Sequence, residues 1–317
     1  MGRLFFPICC LIVICISGAT FGQEFLDYML KLSGIEMDYP VTWIYIDASS
    51  NLTTPSINCP IGDFNHSKFV RAGVTADTKV NGKEFHLMKG CGAQIYLIAG
   101  DLWYSDSKDA WFNAIEKLGF NKTNTEIVRG NHDSDGKAIK DWLVNNNTYG
   151  EKIGGFADSK IAVFDVDANT KFDCSSPQYR VLQSQIEKSE AWYKFVLVHQ
   201  PFVTAKSEHE PNGQFDCYHA MFKANGVDMV LQGHNHNTQI FRIDDIEYTV
   251  GAPGTHDTGS SLYKLEDTKF NGHELLYGND KDNGVTFLDI QIDNRSKDFI
   301  KANVVSLDNK VLYNFTN

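Results

Sequence analysis

Val227-Asp228-Met229-Val230-Leu231 runs into Gly233-His234-Asn235-His236: a short apolar strand that stops at a glycine and a pair of histidines two apart. A continuous apolar run of this length suits a strand buried on both faces. The same pattern recurs upstream. Phe195-Val196-Leu197-Val198 ends in His199, Glu126-Ile127-Val128-Arg129 ends in Gly130-Asn131-His132-Asp133, and Ile95-Tyr96-Leu97-Ile98-Ala99 ends in Gly100-Asp101. Between these runs lie helical patterns. Residues 108–118 carry Ala110, Trp111, Ala114, Ile115 and Leu118 near helical spacing, and residues 137–144, 182–192 and 219–224 read the same way. Strands alternating with helices predict an α/β architecture with layered sheets. There, polar residues just past the carboxyl ends of the strands gather in one crevice. That makes Asp101, Asn131, His132, His199, His234 and His236 expected neighbours.

These residue types suit cations. A carboxylate can bridge two ions, an Asn amide oxygen can bind a hard ion, and neutral imidazole suits zinc or iron. On a turn, His234 and His236 can point at two different ions. Taken singly, each cluster has an ordinary reading: a strand-end His is commonly a solvated or core residue, and Gly-Asn-His-Asp is a turn. Four of them in this order point to metal chemistry.

The order also carries a resemblance. Gly100-Asp101-Leu102-Trp103-Tyr104, Gly130-Asn131-His132-Asp133, Val198-His199-Gln200-Pro201 and Gly233-His234-Asn235-His236 resemble the successive blocks of the calcineurin-like metallophosphoesterases, in the variant of the small purple acid phosphatases, the tartrate-resistant type. The resemblance spans residues 56–317. It implies an α/β fold of two stacked sheets flanked by helices, with the metal site at the strand carboxyl ends. It implies hydrolysis of phosphate monoesters at two metal ions. Asp101 would bridge them, Tyr104 and His236 would bind a ferric ion, and Asn131, His199 and His234 would bind divalent iron, zinc or manganese. His132 would act as the acid near the leaving group, with Asp133 holding its orientation. The chemistry is coherent: phenolate is a hard anionic ligand for ferric iron, and two cations roughly 3.5–4 Å apart clamp phosphate oxygens. A phosphodiesterase on the same fold, and a catalytically weakened secreted binding or structural protein, are the rival readings.

One element of the family pattern is absent. The family has an earlier strand ending in Gly-Asp, whose Asp binds the first metal. Here Phe69-Val70-Arg71-Ala72-Gly73-Val74-Thr75-Ala76-Asp77 stands at that place, with Asp77 too far past the strand; Asp63 and Asp47 are the other acidic residues nearby, and Asp63 reads as a loop residue. The expectation is therefore an incomplete, weak first metal site. His209 reads as a residue at the substrate mouth, His219 as part of the fold, and Gly251-Ala252-Pro253-Gly254-Thr255 as a turn closing the crevice.

Composition sets the remaining bounds. The chain has 317 residues, 42% hydrophobic and 12% aromatic, which suffices for a packed core. Its net charge of −11 argues against nucleic-acid partners and polybasic membrane binding. Arg3, the apolar run Leu4 to Ile16 and Ser17-Gly18-Ala19 predict a signal peptide over residues 1–22, the run being shorter than the roughly 20 residues of a membrane span. An N-terminal extension over 23–55, including the strand-like run 41–46, and one domain over 56–317 follow. The mature chain keeps Cys59, Cys91, Cys174 and Cys217, enough for two disulfides in any of three pairings. Glycosylation sequons begin at Asn51, Asn65, Asn121, Asn146, Asn294 and Asn314. Together these features predict a glycosylated protein, extracellular or in the secretory or lysosomal lumen and free of the membrane once the signal is removed; the resemblance implies that it acts on a phosphate ester.

Overall fold

In β1 (Phe69–Thr75), Val70, Ala72 and Val74 alternate with Arg71, Gly73 and Thr75, and both sets are buried from Val70 onward. A strand buried on both faces must lie inside a layered structure. The computed structural model describes residues 59–63, 65–104, 106–133, 138–139, 142, 153–156, 160–205, 209–251, 254, 269–270, 273–293 and 299–316. All belong to one compact unit, Thr42–Asn317. The expected signal peptide and extension, the sequons at Asn51, Asn146 and Asn294, and most of the expected helix 137–144 lie outside the described residues.

Among the described residues the first sheet has six strands. β1 lies at its centre, parallel to β2 (Ile95–Ile98), which is parallel to β3 (Thr125–Ile127). On its other side β1 pairs antiparallel with β12 (Gly284–Gln291), followed by β13 (Ile300–Ser306) and β14 (Val311–Thr316). The second sheet has eight strands among the described residues. Its centre is the parallel set β5 (Ile161–Val166), β6 (Tyr193–Val198), β7 (Met229–Gln232) and β9 (Ile246–Val250). The antiparallel strands β4 (Ile153–Phe156), β8 (Thr238–Ile243), β10 (Lys269–Phe270) and β11 (His273–Asn279) complete it.

Three apolar layers hold the sheets and helices together. Between the sheets, Val70, Ala72, Val74, Leu97 and Leu288 pack with Val163, Phe195, Leu197 and Leu231. Outside the first sheet, α1 (Lys83–Gly90) and α2 (Lys108–Lys117) bring Phe85, Met88, Trp111 and Ile115 onto Tyr96, Ile98 and Phe287. Outside the second, α3 (Pro177–Lys188) and α4 (Phe215–Ala224) bring Leu182, Ile186, Tyr218 and Phe222 onto Phe164, Val196 and Tyr248. The expected α/β sandwich of two stacked sheets flanked by helices is therefore the observed fold. Sequence periodicity placed α3 over 182–192, but it begins at Pro177. Ser176 caps it, accepting the Tyr179 amide at 3.1 Å, and Pro177 suits the first turn.

The outer face of β1 carries one charged group. Arg71 is 1% exposed and grips Asp289 of β12 through two bonds, Nε to Oδ1 at 2.6 Å and Nη2 to Oδ2 at 3.0 Å. Its Nη1 also donates to the carbonyls of Cys91 and Gly62 at 2.8 and 3.1 Å. Of the three possible disulfide pairings, the observed one is Cys59–Cys91 and Cys174–Cys217. No helix among the described residues is long and apolar enough to cross a membrane.

Candidate metal centre

The parallel strands of both sheets deliver their carboxyl ends to one crevice, and the turns beyond them carry the polar residues. The chain leaving β1 keeps pace with the chain leaving β2. Asp77 N donates to Gly100 O at 3.0 Å and Thr78 N to Asp101 O at 2.8 Å. Thr78 Oγ1 donates to Leu102 O at 2.7 Å and accepts Trp111 Nε1 at 3.1 Å, tying both turns to α2. The Asp77 and Asp101 carboxylates thus emerge side by side, both buried. Asp77, Asp101, Tyr104 and His234 all have left-handed backbones, with φ of +54°, +53°, +46° and +72°. Such conformations cost about 1–3 kcal/mol each in a non-glycine residue and persist where the surroundings enforce them, commonly at functional sites.

Two groups of donor atoms result. In the first, Tyr104 Oη donates to Asp77 Oδ1 at 2.9 Å and lies 3.0 Å from His236 Nε2, which is 3.4 Å from Asp77 Oδ1. In the second, ligand atoms of Asp101, His199 and His234 all lie within 4.8 Å of one another. His199 Nε2 is 3.2 Å from Asp101 Oδ2 and 3.0 Å from Asn131 Oδ1, while its Nδ1 faces Ala99 O at 2.7 Å, which orients the ring. The groups are joined: Asp77 Oδ2 accepts the His234 amide at 3.1 Å. First-sheet residues supply carboxylates, phenol and amide; second-sheet residues supply imidazoles.

The expectation of a vacant ligand place next to Tyr104 and His236 does not hold. Asp77, set aside as too far beyond its strand, stands there fully buried. Ala76 continues the extended path and the left-handed turn at Asp77 brings the carboxylate back to the level of Asp101. Asp63 is exposed, and neighbouring Gly62 bonds Arg71 near the amino end of β1. Asp47 lies outside the described residues. The sequence shows only an acid two residues past an apolar strand; the bonds of Asp77 and Thr78 to the Gly100 and Asp101 carbonyls are what set it level with Asp101.

Asp133 also differs from expectation. Its Oδ2 accepts the amides of Gly130 and Asp101 at 2.8 and 2.9 Å, and its Oδ1 accepts the Leu102 amide at 2.9 Å. It therefore braces the two turns that carry Asp101 and Asn131, where the resemblance implied that it orients the His132 ring. His132 donates its amide to Asp101 Oδ1 at 2.8 Å, and its exposed ring lies 4.7 Å from that of Tyr104. His209 lies with its ring 4.3 Å from that of His234, at the crevice as expected. Gly254 closes the other side, its amide donating to Ala76 O at 2.8 Å.

The electrostatics follow from burial. Burial opposes charge on both Asp101 and His199, and their mutual attraction overcomes it, holding Asp101 below the usual carboxylate range and His199 above the usual imidazole range. Burial, then the neighbouring His199 and His209, push His234 down to about 3, so its ring is neutral, the form that binds cations. Burial and the two carboxylates push the Tyr104 phenol far up. A bound cation reverses that balance and favours phenolate. Burial, against three amide donors, raises Asp133 to about 6. A donor set of two buried carboxylates, a phenol, an amide and three imidazoles, with its ligand atoms this close, fits two cations.

Comparison with known proteins bears on the family and the fold. Residues 82–238 match the family model of the calcineurin-like phosphoesterases. Purple acid phosphatase 22 of Arabidopsis thaliana is 23% identical over 210 residues, covering 57% of this chain and 44% of its own length. The chain therefore spans less than half of that curated relative. Among solved structures, GAP50, the anchor in the inner membrane complex of Plasmodium, aligns with a TM-score of 0.56 at 15% identity, over 78% of this chain and 88% of its own. The purple acid phosphatase PPD1 of yellow lupin aligns at 0.58 and 13%, over 78% and 53%. At these identities the structures establish the fold. Residues 82–238 thus match the calcineurin-like phosphoesterases in sequence, and the fold and the block order are in keeping with that match.

Proposed function

We propose that the protein is a secreted phosphatase that hydrolyses phosphate monoesters at a dinuclear metal centre. The observation that carries this reading is the convergence of seven ligand-type side chains, Asp77, Asp101, Tyr104, Asn131, His199, His234 and His236, from both sheets onto one crevice. Asp77, Tyr104 and His236 would hold the first ion, a ferric ion if the phenolate binds. Asn131, His199 and His234 would hold a divalent iron, zinc or manganese, with Asp101 shared. Two such ions supply positive charge for the phosphoryl oxygens and acidify water at neutral or lower pH. His132 presents an exposed ring beside Tyr104, suited to hold a proton for the departing alkoxide. Asp133 keeps the Asp101 and Asn131 turns in register. The two disulfides fit an oxidising compartment. The sequons at Asn65 and Asn121 are exposed, suiting them to carry N-glycans.

A second reading is a binding or anchoring protein on the same fold, favoured by the likeness to GAP50, described as an anchor. The motive from an incomplete ligand set falls away with Asp77. Elemental analysis of purified protein, with turnover of a monoaryl and a bis-aryl phosphate, tests both. Two metal ions per chain and monoester hydrolysis, both abolished by Asp101→Ala, are expected. A metal-free, inert protein would leave the anchoring reading, and a preference for the diester would make it a phosphodiesterase.

A further inference from the structure

β5 ends at the same edge as the ligand-bearing strands, and the turn beyond it, Asp167-Ala168-Asn169-Thr170, lies between two loops of the crevice. Asn169 Nδ2 donates to Arg129 O at 3.0 Å, just before Gly130-Asn131. Asn169 Oδ1 accepts Gln200 Nε2 at 2.8 Å, just after His199. Buried Asp167 receives the Arg129 guanidinium, Nη2 lying 3.2 Å from Oδ1 and 3.0 Å from Oδ2, and its Oδ1 accepts the Asn169 amide at 3.0 Å. From behind, Gln178 of α3 locks the turn. Its Oε1 accepts the Asp167 amide at 2.7 Å and its Nε2 donates to Asp167 O at 3.2 Å. Arg129 follows β3 of the first sheet and Gln200 follows β6 of the second, so the turn is a strut across the seam between sheets.

We propose that Asn169 is a positioning residue that fixes the loop carrying Asn131 against the loop carrying His199, and so sets the spacing of two donors for one cation. Asn131 Oδ1 and His199 Nε2 stand 3.0 Å apart, and both reach the crevice from different sheets. Packing between the sheets sets their separation coarsely; a short side chain bonded to both loops sets it finely. Asparagine has the needed chemistry, since one planar amide offers a donor to a carbonyl and an acceptor to an amide at once. Aspartate keeps the acceptor for Gln200 and loses the donor for Arg129 O. The consequence for metal rests on the phosphatase reading; the strut itself does not.

The test uses the full chain with Asn169→Leu and Asn169→Asp. Hydrogen exchange on metal-free protein reads the strut directly. Asn169→Leu is expected to speed exchange about tenfold in peptides covering 129–133 and 199–203, leaving the other strands unchanged. Asn169→Asp is expected to loosen 129–133 alone. Calorimetric titration with zinc reads the consequence: one of the two sites weakens about tenfold in Asn169→Leu while the other keeps its affinity. Unchanged exchange in both segments overturns the proposal, as does equal weakening of both zinc sites with a general loss of stability. A wild-type chain that takes up no zinc sinks the phosphatase reading, and the exchange result still decides the strut.

Discussion

Gly130 sits where a side chain has no room. A Cβ built on it would overlap Asp101 Oδ1 and the Asp101 amide nitrogen. Those atoms hold the His132 amide at 2.8 Å and Asp133 Oδ2 at 2.9 Å, so neither yields freely. A real Cβ needs at least 3.0 Å of clearance, so either Asp101 or the 130–132 turn must move by about an ångström. A misplacement of that size at a reacting centre costs about 10²-fold in rate, about 2.7 kcal/mol of barrier. Gly130→Ala is therefore expected to lower kcat/KM for an aryl phosphate about 10²-fold and to reduce bound metal, while the far-ultraviolet circular dichroism stays native. Gly226→Ala is the control. Its Cβ meets open space, so its φ of +67° costs about 1–2 kcal/mol of stability and leaves turnover unchanged. A Gly130→Ala protein with full metal load and wild-type turnover would refute the reasoning that bare backbone fixes the position of Asp101.

Asp77→Asn keeps the side-chain volume and removes the charge; it is expected to lose one metal ion per chain by elemental analysis, together with any tyrosinate-to-iron absorption. Unchanged stoichiometry would strike Asp77 from the ligand set. His132→Ala is expected to keep both ions and slow turnover about 10²–10⁴-fold for poor leaving groups, and less for good ones; a uniform loss across leaving groups would make His132 a substrate-binding residue only. Arg71→Met strands the buried Asp289 carboxylate and two carbonyls, an expected loss of about 3–5 kcal/mol in urea unfolding, whereas Arg71→Met with Asp289→Leu recovers most of it. A double variant no more stable than the single one would contradict that account.

Strand runs and block order made the layered fold and six of the seven ligand-type residues readable from sequence, because a buried parallel strand is apolar throughout and stops at its functional turn. Asp77 escaped because its place depends on backbone, not composition. Ala76 prolongs the path of β1, and a left-handed Asp cannot be told from an ordinary loop acid without the neighbouring Gly100 and Asp101 carbonyls that its turn bonds. The role of Asp133 was hidden for a related reason: its partners are main-chain amides, which every residue has. Asn169 carries no ligand-type signal, since its partners are brought together only when the two sheets stack.

The pairing of β1 has a consequence for how the chain is made. Its antiparallel neighbour is β12, with Phe69 opposite Gln291. At synthesis rates of about 5–20 residues per second, that partner emerges about 10–45 s after β1. Contacts so distant along the chain slow folding, and an uncovered strand edge invites the wrong partner while it waits. During that interval β1, β2 and β3 expose one side of a sheet whose turns already hold Asp77, Asp101 and Asn131. Arg71 likewise has no Asp289 to meet. A nascent chain halted before residue 284 contains every ligand-type residue of the crevice yet lacks β12, β13 and β14, half of the first sheet, so premature termination late in the message is expected to yield aggregates, not a smaller active protein.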